Sequence, residues 1–383
     1  MIPFIDLAAQ QTRIKPKIDA AIARVLEHGQ YILGPEVREL EKQLAEFCGA
    51  KFCVSCANGT DAIALPLMRL GIRPGDAIFV PSFTFTATAE VVCWLGATPY
   101  FVDIDPDTYN LCPVSLEAAI KECQHDGKLK PAGIIGVDLF GLPADFDALD
   151  NVARKYDLWL IMDSAQGFGA TYKLMRAGVM GRFATTSFFP AKPLGCYGDG
   201  GAIFTNDESD IEILHSLRMH GQGTDKYDNV RVGMNSRLDT IQAAILLEKL
   251  KIFPDEISAR NKVAARYTAA LKDIVKTPTV PGGSISAWAQ YTIGVPEPAP
   301  AKAGGRRAEL QDHLKAAGIP TAIYYPLPLH LQPAYKQHPV VAGTLPNSEV
   351  AMHEVLSLPM HPYLDEATQS HICTVITAFF ESK

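Results

Sequence analysis

The sequence predicts an α/β protein in which a large domain with a mainly parallel central sheet precedes a smaller C-terminal α+β domain. Up to about residue 236, short apolar runs alternate with helical patterns, which is typical of βαβ units. After that point the chain carries a long helical pattern and then clusters of Pro and Gly. Its 383 residues, 48% of them hydrophobic, suffice for two hydrophobic cores.

The first part of the chain contains seven strand-like runs, at residues 51–56, 77–81, 99–103, 133–139, 158–163, 184–189 and 201–205. Helical patterns lie between them and include residues 35–47, 87–94, 113–121 and 146–156. Strands that alternate with helices predict a parallel sheet with helices on both faces. We therefore expect ligands to bind at the carboxyl ends of the strands.

The second part begins with a helical pattern at residues 238–272. We expect a long bent helical connection that is broken near Pro254, because proline lacks the backbone N–H that a helix interior needs. Pro and Gly then cluster at residues 277–283 and 296–305. We place the large domain at residues 1–253 and the smaller one at 254–383.

Composition excludes several classes of function. The net charge is −7 and no long basic run occurs, which argues against binding to nucleic acid or to an anionic membrane. No apolar run approaches the roughly 18 residues of a membrane span. The N-terminus lacks the basic and long apolar regions of a signal peptide. We expect a cytoplasmic protein.

Common site motifs are also missing. Residues 53–56 have CxxC spacing, but no second pair completes a zinc site, so we expect no metal. The sequence contains neither GxGxxG nor a P-loop nor GxSxG, which leaves dinucleotide, nucleotide and serine-hydrolase chemistry without support.

Lys192 is the strongest candidate for a catalytic residue in the sequence. It lies between Pro190 and Pro193 in a glycine-rich turn with apolar neighbours, which disfavours a regular helix or strand. Burial would lower the pKa of its amine and make it a nucleophile able to form a Schiff base. The alternative is an exposed lysine in a surface loop.

Residues 58–60, Asn-Gly-Thr, follow the first strand and open a helix. The free N–H groups of a helix N-terminus favour an anion such as phosphate, and Gly59 would allow close approach. The alternative is an ordinary helix cap made by Asn58 or Thr60.

Three further signals have similar alternatives. Asp163 ends a buried strand, where it either pairs with a cation such as a protonated pyridine nitrogen or caps the next turn. Phe85 follows another strand and either stacks on a heteroaromatic ring or, like Phe83, packs in the core. Arg237 precedes the long helix and either grips a phosphate or carboxylate or is solvated.

The order of these signals resembles that of the fold-type-I pyridoxal-phosphate aminotransferases. More narrowly, the chain is similar to the DegT/StrS group, which aminates nucleotide-linked keto-sugars. The resemblance runs nearly end to end, from residues 2–7 and 29–35 to 358–364. Its most specific parts are residues 187–201 and 232–244.

This resemblance implies that Lys192 forms a Schiff base with pyridoxal phosphate and acts as general base and acid. Asp163 would pair with the pyridine nitrogen, Gln166 with the ring hydroxyl, and Phe85 would stack on the ring. The implied phosphate ligands are Gly59, Thr60, Ser187 and, from a neighbouring subunit, Asn235.

The resemblance also implies a homodimer with shared active sites, because Arg237 would reach the sugar nucleotide from the neighbouring subunit. The residues that it implies for substrate binding are Arg237, Tyr324, Tyr325, Tyr31 and His330.

Within the group, residues 187–201 look closest to enzymes that aminate C3 of a UDP-linked 2-acetamido-3-keto-hexuronic acid in bacterial surface-polysaccharide pathways. L-glutamate would be the amino donor and 2-oxoglutarate the second product. The family usually has histidine where this chain has Tyr324, and a phenol carries no positive charge at pH 7. This departure bears on recognition of the uronic carboxylate.

Three alternatives stay open. The chain could aminate another nucleotide-linked 3-keto or 4-keto sugar. It could be a sugar dehydratase of the same group, although those carry histidine in place of Lys192. It could also be a regulatory or sensing protein that keeps the fold without turnover.

Overall fold

The computed structural model of the protein describes residues 2–225, 227–295 and 305–381. Most of the Pro- and Gly-rich stretch at 296–305 therefore lies outside the described residues. The helices are α1 Leu7–His28, α2 Pro35–Cys48, α3 Gly59–Leu70, α4 Ala87–Trp94, α5 Pro113–Asp126, α6 Phe146–Lys155, α7 Glu208–Leu217, α8 Thr240–Leu271, α9 Gly305–Ala316, α10 Pro346–Glu354 and α11 Glu366–Glu381. The strands are β1 Phe52–Cys56, β2 Asp76–Pro81, β3 Thr98–Val102, β4 Lys130–Val137, β5 Trp159–Asp163, β6 Thr171–Tyr172, β7 Met175–Arg176, β8 Phe183–Ser187, β9 Gly201–Thr205, β10 Ser284–Ile285, β11 Tyr291–Gly294 and β12 Val355–Leu358.

The central sheet has seven strands in the order β1-β9-β8-β5-β4-β2-β3. Neighbours from β8 to β3 pair in parallel, whereas β9 is antiparallel to both β1 and β8. The sheet is therefore mainly parallel, as predicted. Its seven strands coincide with the seven predicted apolar runs, because strands buried on both faces are read as nearly continuous apolar stretches.

Helix α8 joins the sheet to the rest of the chain. Its Phe253 stacks on Phe168 with ring centroids 5.9 Å apart, and Phe168 stacks on Phe204 of β9 at 5.7 Å. Each such aromatic pair adds about 0.5–1.5 kcal/mol beyond its burial. This stack fixes α8 against the large core.

The predicted break of α8 near Pro254 is wrong. The helix runs for 32 residues through Pro254 without interruption. Its first part packs in the large core, whereas Val263, Tyr267 and Leu271 pack in a second core. Burial at both ends offsets a proline cost of about 3 kcal/mol.

The second core lies around the antiparallel pair β11–β12 and includes residues of α9, α11 and the end of α8. Tyr267 and Tyr291 stack at its centre with centroids 4.9 Å apart. The switch between the two cores takes place along α8, after Phe253 and before Val263. The division of the chain into residues 1–253 and 254–383 stays a prediction.

Candidate active site

Three of the predicted cofactor residues, Gly59, Asp163 and Ser187, come together at the carboxyl edge of the central sheet. Asp163 is the last residue of β5 and Ser187 the last of β8, while Gly59 opens α3 just after β1. The strands that carry Asp163 and Ser187 are neighbours in the sheet. Because parallel strands end at one edge, the sheet itself assembles this group.

Gly59 and Ser187 approach so closely that no side chain fits at position 59. A Cβ there would lie 2.6 Å from the Cβ and 3.0 Å from the Oγ of Ser187. Asn58 caps α3 by accepting a hydrogen bond from Asp61 N at 2.8 Å, so the cap alternative is also correct for Asn58. The N–H groups of Gly59 and Thr60 lie in the first turn of the helix, where no intrahelical acceptor is present.

Asp163 is a buried carboxylate, 7% exposed. Its Oδ1 accepts from Ala165 N at 3.0 Å, and its Oδ2 lies 3.5 Å from Thr88 Oγ1. Burial raises the pKa of this carboxyl, while the Ala165 N–H, the charge of Lys192 and Thr88 lower it. A buried carboxylate with weak partners is suited to receive a cationic ring nitrogen.

Lys192 is half-buried in an irregular turn, closed by a 2.8 Å hydrogen bond from its own N–H to Phe189 O. Burial lowers the pKa of its amine, and the charge of Asp163 acts in the opposite direction. This environment favours a reactive amine over a freely solvated lysine. Lys192 and Asp163 therefore interact electrostatically across the site.

Gln166 holds two other parts of the site together. Its Oε1 accepts from Phe140 N at 2.7 Å, and its Nε2 donates to Tyr325 Oη at 3.0 Å. Burial raises the pKa of Tyr325, so that its phenol is neutral. One N–H of the Gln166 amide is left for a ring hydroxyl, since an amide nitrogen carries two.

The two phenylalanines after β2 behave differently. Phe83 is buried against Tyr325 and Tyr109, with centroids 5.8 and 6.3 Å away. Phe85 is 55% exposed, which leaves its ring face available for stacking. The core-packing alternative is therefore correct for Phe83 and does not describe Phe85.

His330 is buried rather than open to a substrate. Its backbone N–H donates to Ser82 Oγ at 3.1 Å, and its Nδ1 lies 2.6 Å from the same oxygen. Its Nε2 lies 3.3 Å from Glu349 Oε1. With both ring nitrogens engaged, this geometry favours a role in holding the loop after β2 and does not support direct contact with a sugar.

The remaining predicted substrate residues are Tyr31, Arg237 and Tyr324. Tyr31 is exposed, and Arg237 is partly exposed, with an Nη 4.0 Å from Met219 Sδ. Asn235, which was predicted for the cofactor phosphate, is exposed. Tyr324 is half-buried beside Tyr325, with ring centroids 5.9 Å apart.

Two residues of the site, Thr88 and Asp138, were not predicted from the sequence. Thr88 reaches Asp163 from α4. Asp138 follows β4 and accepts from Ser164 Oγ at 2.6 Å, and burial raises its pKa to about 7. Asp138 carries the same signal as Asp163, an acid at the end of a buried run. For Thr88 the sequence offers no comparable signal.

Residues 12–377 match the profile of the DegT/DnrJ/EryC1/StrS aminotransferase family. The chain belongs to this family. Over 98% of its length, and all of the relative's, it is 53% identical to a UDP-2-acetamido-2-deoxy-3-oxo-D-glucuronate aminotransferase of Pseudomonas aeruginosa. Over 99% of its length, and 98% of the relative's, it is 42% identical to a pleiotropic regulatory protein of Geobacillus stearothermophilus.

Solved structures of aminotransferases have the same fold. One from Brucella abortus superposes with a TM-score of 0.96 at 53% identity and covers 99% of this chain and 100% of its own. The PLP form of a putative sugar aminotransferase from Streptococcus pneumoniae reaches 0.86 at 26% identity, with 96% of both chains covered. The predicted fold class, a fold-type-I α/β aminotransferase, is confirmed.

The candidate active site of this chain has the groups that binding of pyridoxal phosphate needs. The glycine at 59 leaves a cradle that a Cβ would fill, and Lys192 and Asp163 supply an amine and a buried acid. The protein is a pyridoxal-phosphate-dependent aminotransferase. Among the described residues, no cluster of His, Cys, Asp or Glu is suited to a metal ion, and no helix is long and apolar enough to cross a membrane.

Proposed function

We propose that this aminotransferase moves the amino group of L-glutamate to C3 of a UDP-linked 2-acetamido-2-deoxy-3-keto-hexuronic acid. The products would be 2-oxoglutarate and the UDP-linked 2-acetamido-3-amino-2,3-dideoxy-glucuronate, used for bacterial surface polysaccharide. The observation that carries the proposal is the Lys192–Asp163 pair beside the Gly59 cradle. The substrate assignment is supported by the 53% identity to the Pseudomonas enzyme.

Each residue in this group has a distinct task. Gly59 and Thr60 at the start of α3 and Ser187 at the end of β8 would hold the cofactor phosphate through N–H and hydroxyl groups. Phe85 would lie against the cofactor ring, and Gln166 would bind the ring hydroxyl. When bound, pyridoxal phosphate supplies an aldehyde that carries the amino group and a protonated ring that withdraws electrons.

Two protons are controlled by this chain's own side chains. The Asp163 carboxylate would keep a proton on the ring nitrogen through a buried ion pair. The Lys192 Nζ would remove the proton from the α-carbon of the amino donor and return it during transfer, as a general base and acid. The lowered pKa of Lys192 serves both this step and its nucleophilic role.

We also propose a homodimer in which each subunit completes the other's site. Ile32 pairs with Asp239, and Tyr31 O accepts from Thr240 N at 2.9 Å. The exposed Tyr31 therefore lies close to the segment that carries Asn235 and Arg237. A surface with such exposed aromatic, amide and guanidinium groups suits an interface with a second copy. The cytoplasmic location stays a prediction.

A second candidate is a different nucleotide-linked 3-keto or 4-keto sugar. Burial raises the pKa of Tyr324, so this residue offers a neutral hydroxyl and cannot form an ion pair with a uronic carboxylate. A panel of UDP- and dTDP-linked 3-keto and 4-keto sugars, with products identified by mass and NMR, decides between them. Preference for a 4-keto sugar would overturn the C3 assignment and leave the aminotransferase assignment intact.

The regulatory alternative has its own test, which the 42% identity to a regulatory protein makes worthwhile. The purified holoenzyme is incubated with L-glutamate alone. We expect stoichiometric 2-oxoglutarate and a change in cofactor absorption. A protein that keeps the fold without turnover would show neither.

A further inference from the structure

Lys249, in the first third of α8, is a lysine with only 1% of its surface exposed. Its Nζ donates to Gly195 O at 2.7 Å and lies 4.2 Å from the ring centroid of Tyr197. Lysines are almost never fully buried unless they pair with an acid. In the described part of the chain, the hydrogen-bond acceptor of Lys249 is instead a neutral backbone carbonyl.

That carbonyl belongs to the turn that carries Lys192, three residues earlier. The turn is tight: Lys192 N donates to Phe189 O and Cys196 N to Phe188 O, both at 2.8 Å. A Cβ at Gly195 would lie 2.5 Å from Pro190 O. A displacement of the Gly195 carbonyl therefore has to displace the backbone of Lys192.

Helix α8 holds this turn at a second point. Gln242 Oε1 accepts from Tyr197 N at 2.8 Å. Gln242 and Lys249 are seven residues apart, so both lie on one face of α8. Because the stacked aromatics pack α8 against the sheet, the two side chains connect the turn to a helix that is anchored in the large core.

We propose that Lys249 is a positioning residue, which fixes the pose of Lys192 by binding the Gly195 carbonyl from α8. The inference deepens the aminotransferase function and does not depend on which sugar is aminated. An apolar side chain of similar length would fill the same space without the desolvation cost of a buried ammonium. A cation at this position therefore serves the turn rather than the stability of the fold.

Stability measurements distinguish a role of Lys249 in positioning the turn from a role in stabilising the fold. Burial lowers the pKa of Lys249 to about 8, while the thiol of Cys196 and the carboxylate of Glu256 act in the opposite direction. Facing charges also include Asp19, which acts on Tyr197. With the folded pKa below the unfolded one, the ammonium costs stability at pH 7, and this cost disappears as the pH rises from about 8 towards 10.5.

The test compares Lys249→Met with Lys251→Met. Lys251 lies on the same helix, with a side chain 54% exposed that pairs with Glu248 at 2.8 Å. Three quantities are measured: the rate of the half-reaction with L-glutamate, the pH titration of the cofactor absorption in the holoenzyme, and the Tm of the apoprotein at pH 7 and pH 9.5. The half-reaction is chosen because it needs no sugar.

For Lys249→Met we expect a half-reaction at least ten-fold slower, a shifted midpoint of the absorption titration, and a Tm at pH 7 equal to or above that of the parent. The parent should approach the variant in Tm at pH 9.5. Lys251→Met should match the parent in the rate and in the titration, while its Tm should fall because the buried Glu248 loses its close ion pair.

An unchanged rate and titration would overturn the proposal. So would a variant that does not fold or that loses activity only in proportion to a lower Tm, because Lys249 would then be structural. If the parent itself does not react with glutamate, the proposed donor fails, and the absorption titration still decides the role of Lys249.

Discussion

At the scale of single residues, the contact between Gly59 and Ser187 makes a sharp prediction. Gly59→Ala places a methyl group 2.6 Å from the Cβ of Ser187, which forces apart the two segments that would hold the phosphate. We expect a loss of about 1–3 kcal/mol in the free energy of unfolding. Affinity for pyridoxal phosphate should fall at least ten-fold, measured by titration of the apoprotein.

The control for this variant is Gly282→Ala. A Cβ at Gly282 meets no atom within 4 Å, so its stability and cofactor affinity should equal those of the parent. Equal cofactor affinity in both variants would contradict the cradle at Gly59.

Asp163 leads to a second prediction at this scale. Asp163→Asn keeps the shape of the side chain but cannot hold a proton on the ring nitrogen by charge. We expect kcat to fall by about 100-fold or more, without loss of thermal stability, because a buried carboxylate with a raised pKa is removed. Asp147→Asn, at an exposed carboxylate that pairs with Lys173, serves as the control. A kcat within two- or three-fold of the parent would argue against the role of Asp163.

The sequence predicted best those site residues whose roles follow from their own neighbours in the chain. Lys192 and Asp163 carry local signals, since prolines flank one and a buried strand precedes the other. Thr88 and His330 gain their roles from residues 75 and 248 positions away. No local pattern encodes such contacts, so the sequence could predict neither the Thr88 contact nor the buried position of His330.

At the scale of elements, two loops act as one unit. The loop after β2 carries Phe85, and the segment after Tyr325 covers it. Leu329 N donates to Ser82 O at 2.8 Å, and Tyr335 Oη lies 2.5 Å from Thr86 Oγ1. The loop that carries Phe85, the proposed stacking residue, is therefore held by a segment more than 240 positions along the chain.

His330→Ala tests this unit. Removal of the imidazole leaves the buried hydroxyl of Ser82 without its 2.6 Å partner, which costs about 1–3 kcal/mol. We expect a lower Tm and a several-fold weaker affinity for pyridoxal phosphate, because the loop with Phe85 loosens. His353→Ala, at an exposed histidine of α10, should change neither quantity. A variant with normal Tm and affinity but a raised KM for the sugar would restore the predicted substrate contact of His330.

The positions of the strands could be predicted from the sequence more accurately than the uninterrupted course of the long helix α8. The seven sheet strands follow the apolar runs closely, because burial on both faces leaves a strong pattern. The predicted break at Pro254 is wrong because the sequence shows the local effect of proline but not the tertiary packing that outweighs it. Proline's helix penalty is local, whereas the packing of Phe253 and Val263 into two different cores is a tertiary effect.

At the scale of the whole molecule, the proposed homodimer divides each active site between two chains. Lys192 and Asp163 lie at the carboxyl edge of the sheet, whereas the exposed Asn235 and the partly exposed Arg237 lie on a segment next to Tyr31. In an isologous, closed dimer there would be two equivalent sites. Each chain would contribute Lys192 and Asp163 to one site, and Asn235 and Arg237 to the other. In this arrangement, a single chain would lack the neighbour's Asn235 and Arg237, which are proposed to reach the cofactor phosphate and the sugar nucleotide.

Mixed dimers test this arrangement directly. Lys192→Ala and Arg237→Ala are expected to be nearly inactive as separate homodimers, at least ten-fold below the parent. Co-expressed with distinct tags, they form mixed dimers in which one site has both Lys192 and Arg237 if these residues come from different subunits. Random pairing puts half of the subunits in mixed dimers with one good site of two, so about a quarter of the parent activity should return. If Arg237 serves its own subunit, every site lacks one residue and no activity returns. A protein that sediments as a monomer at micromolar concentration would contradict the dimer altogether.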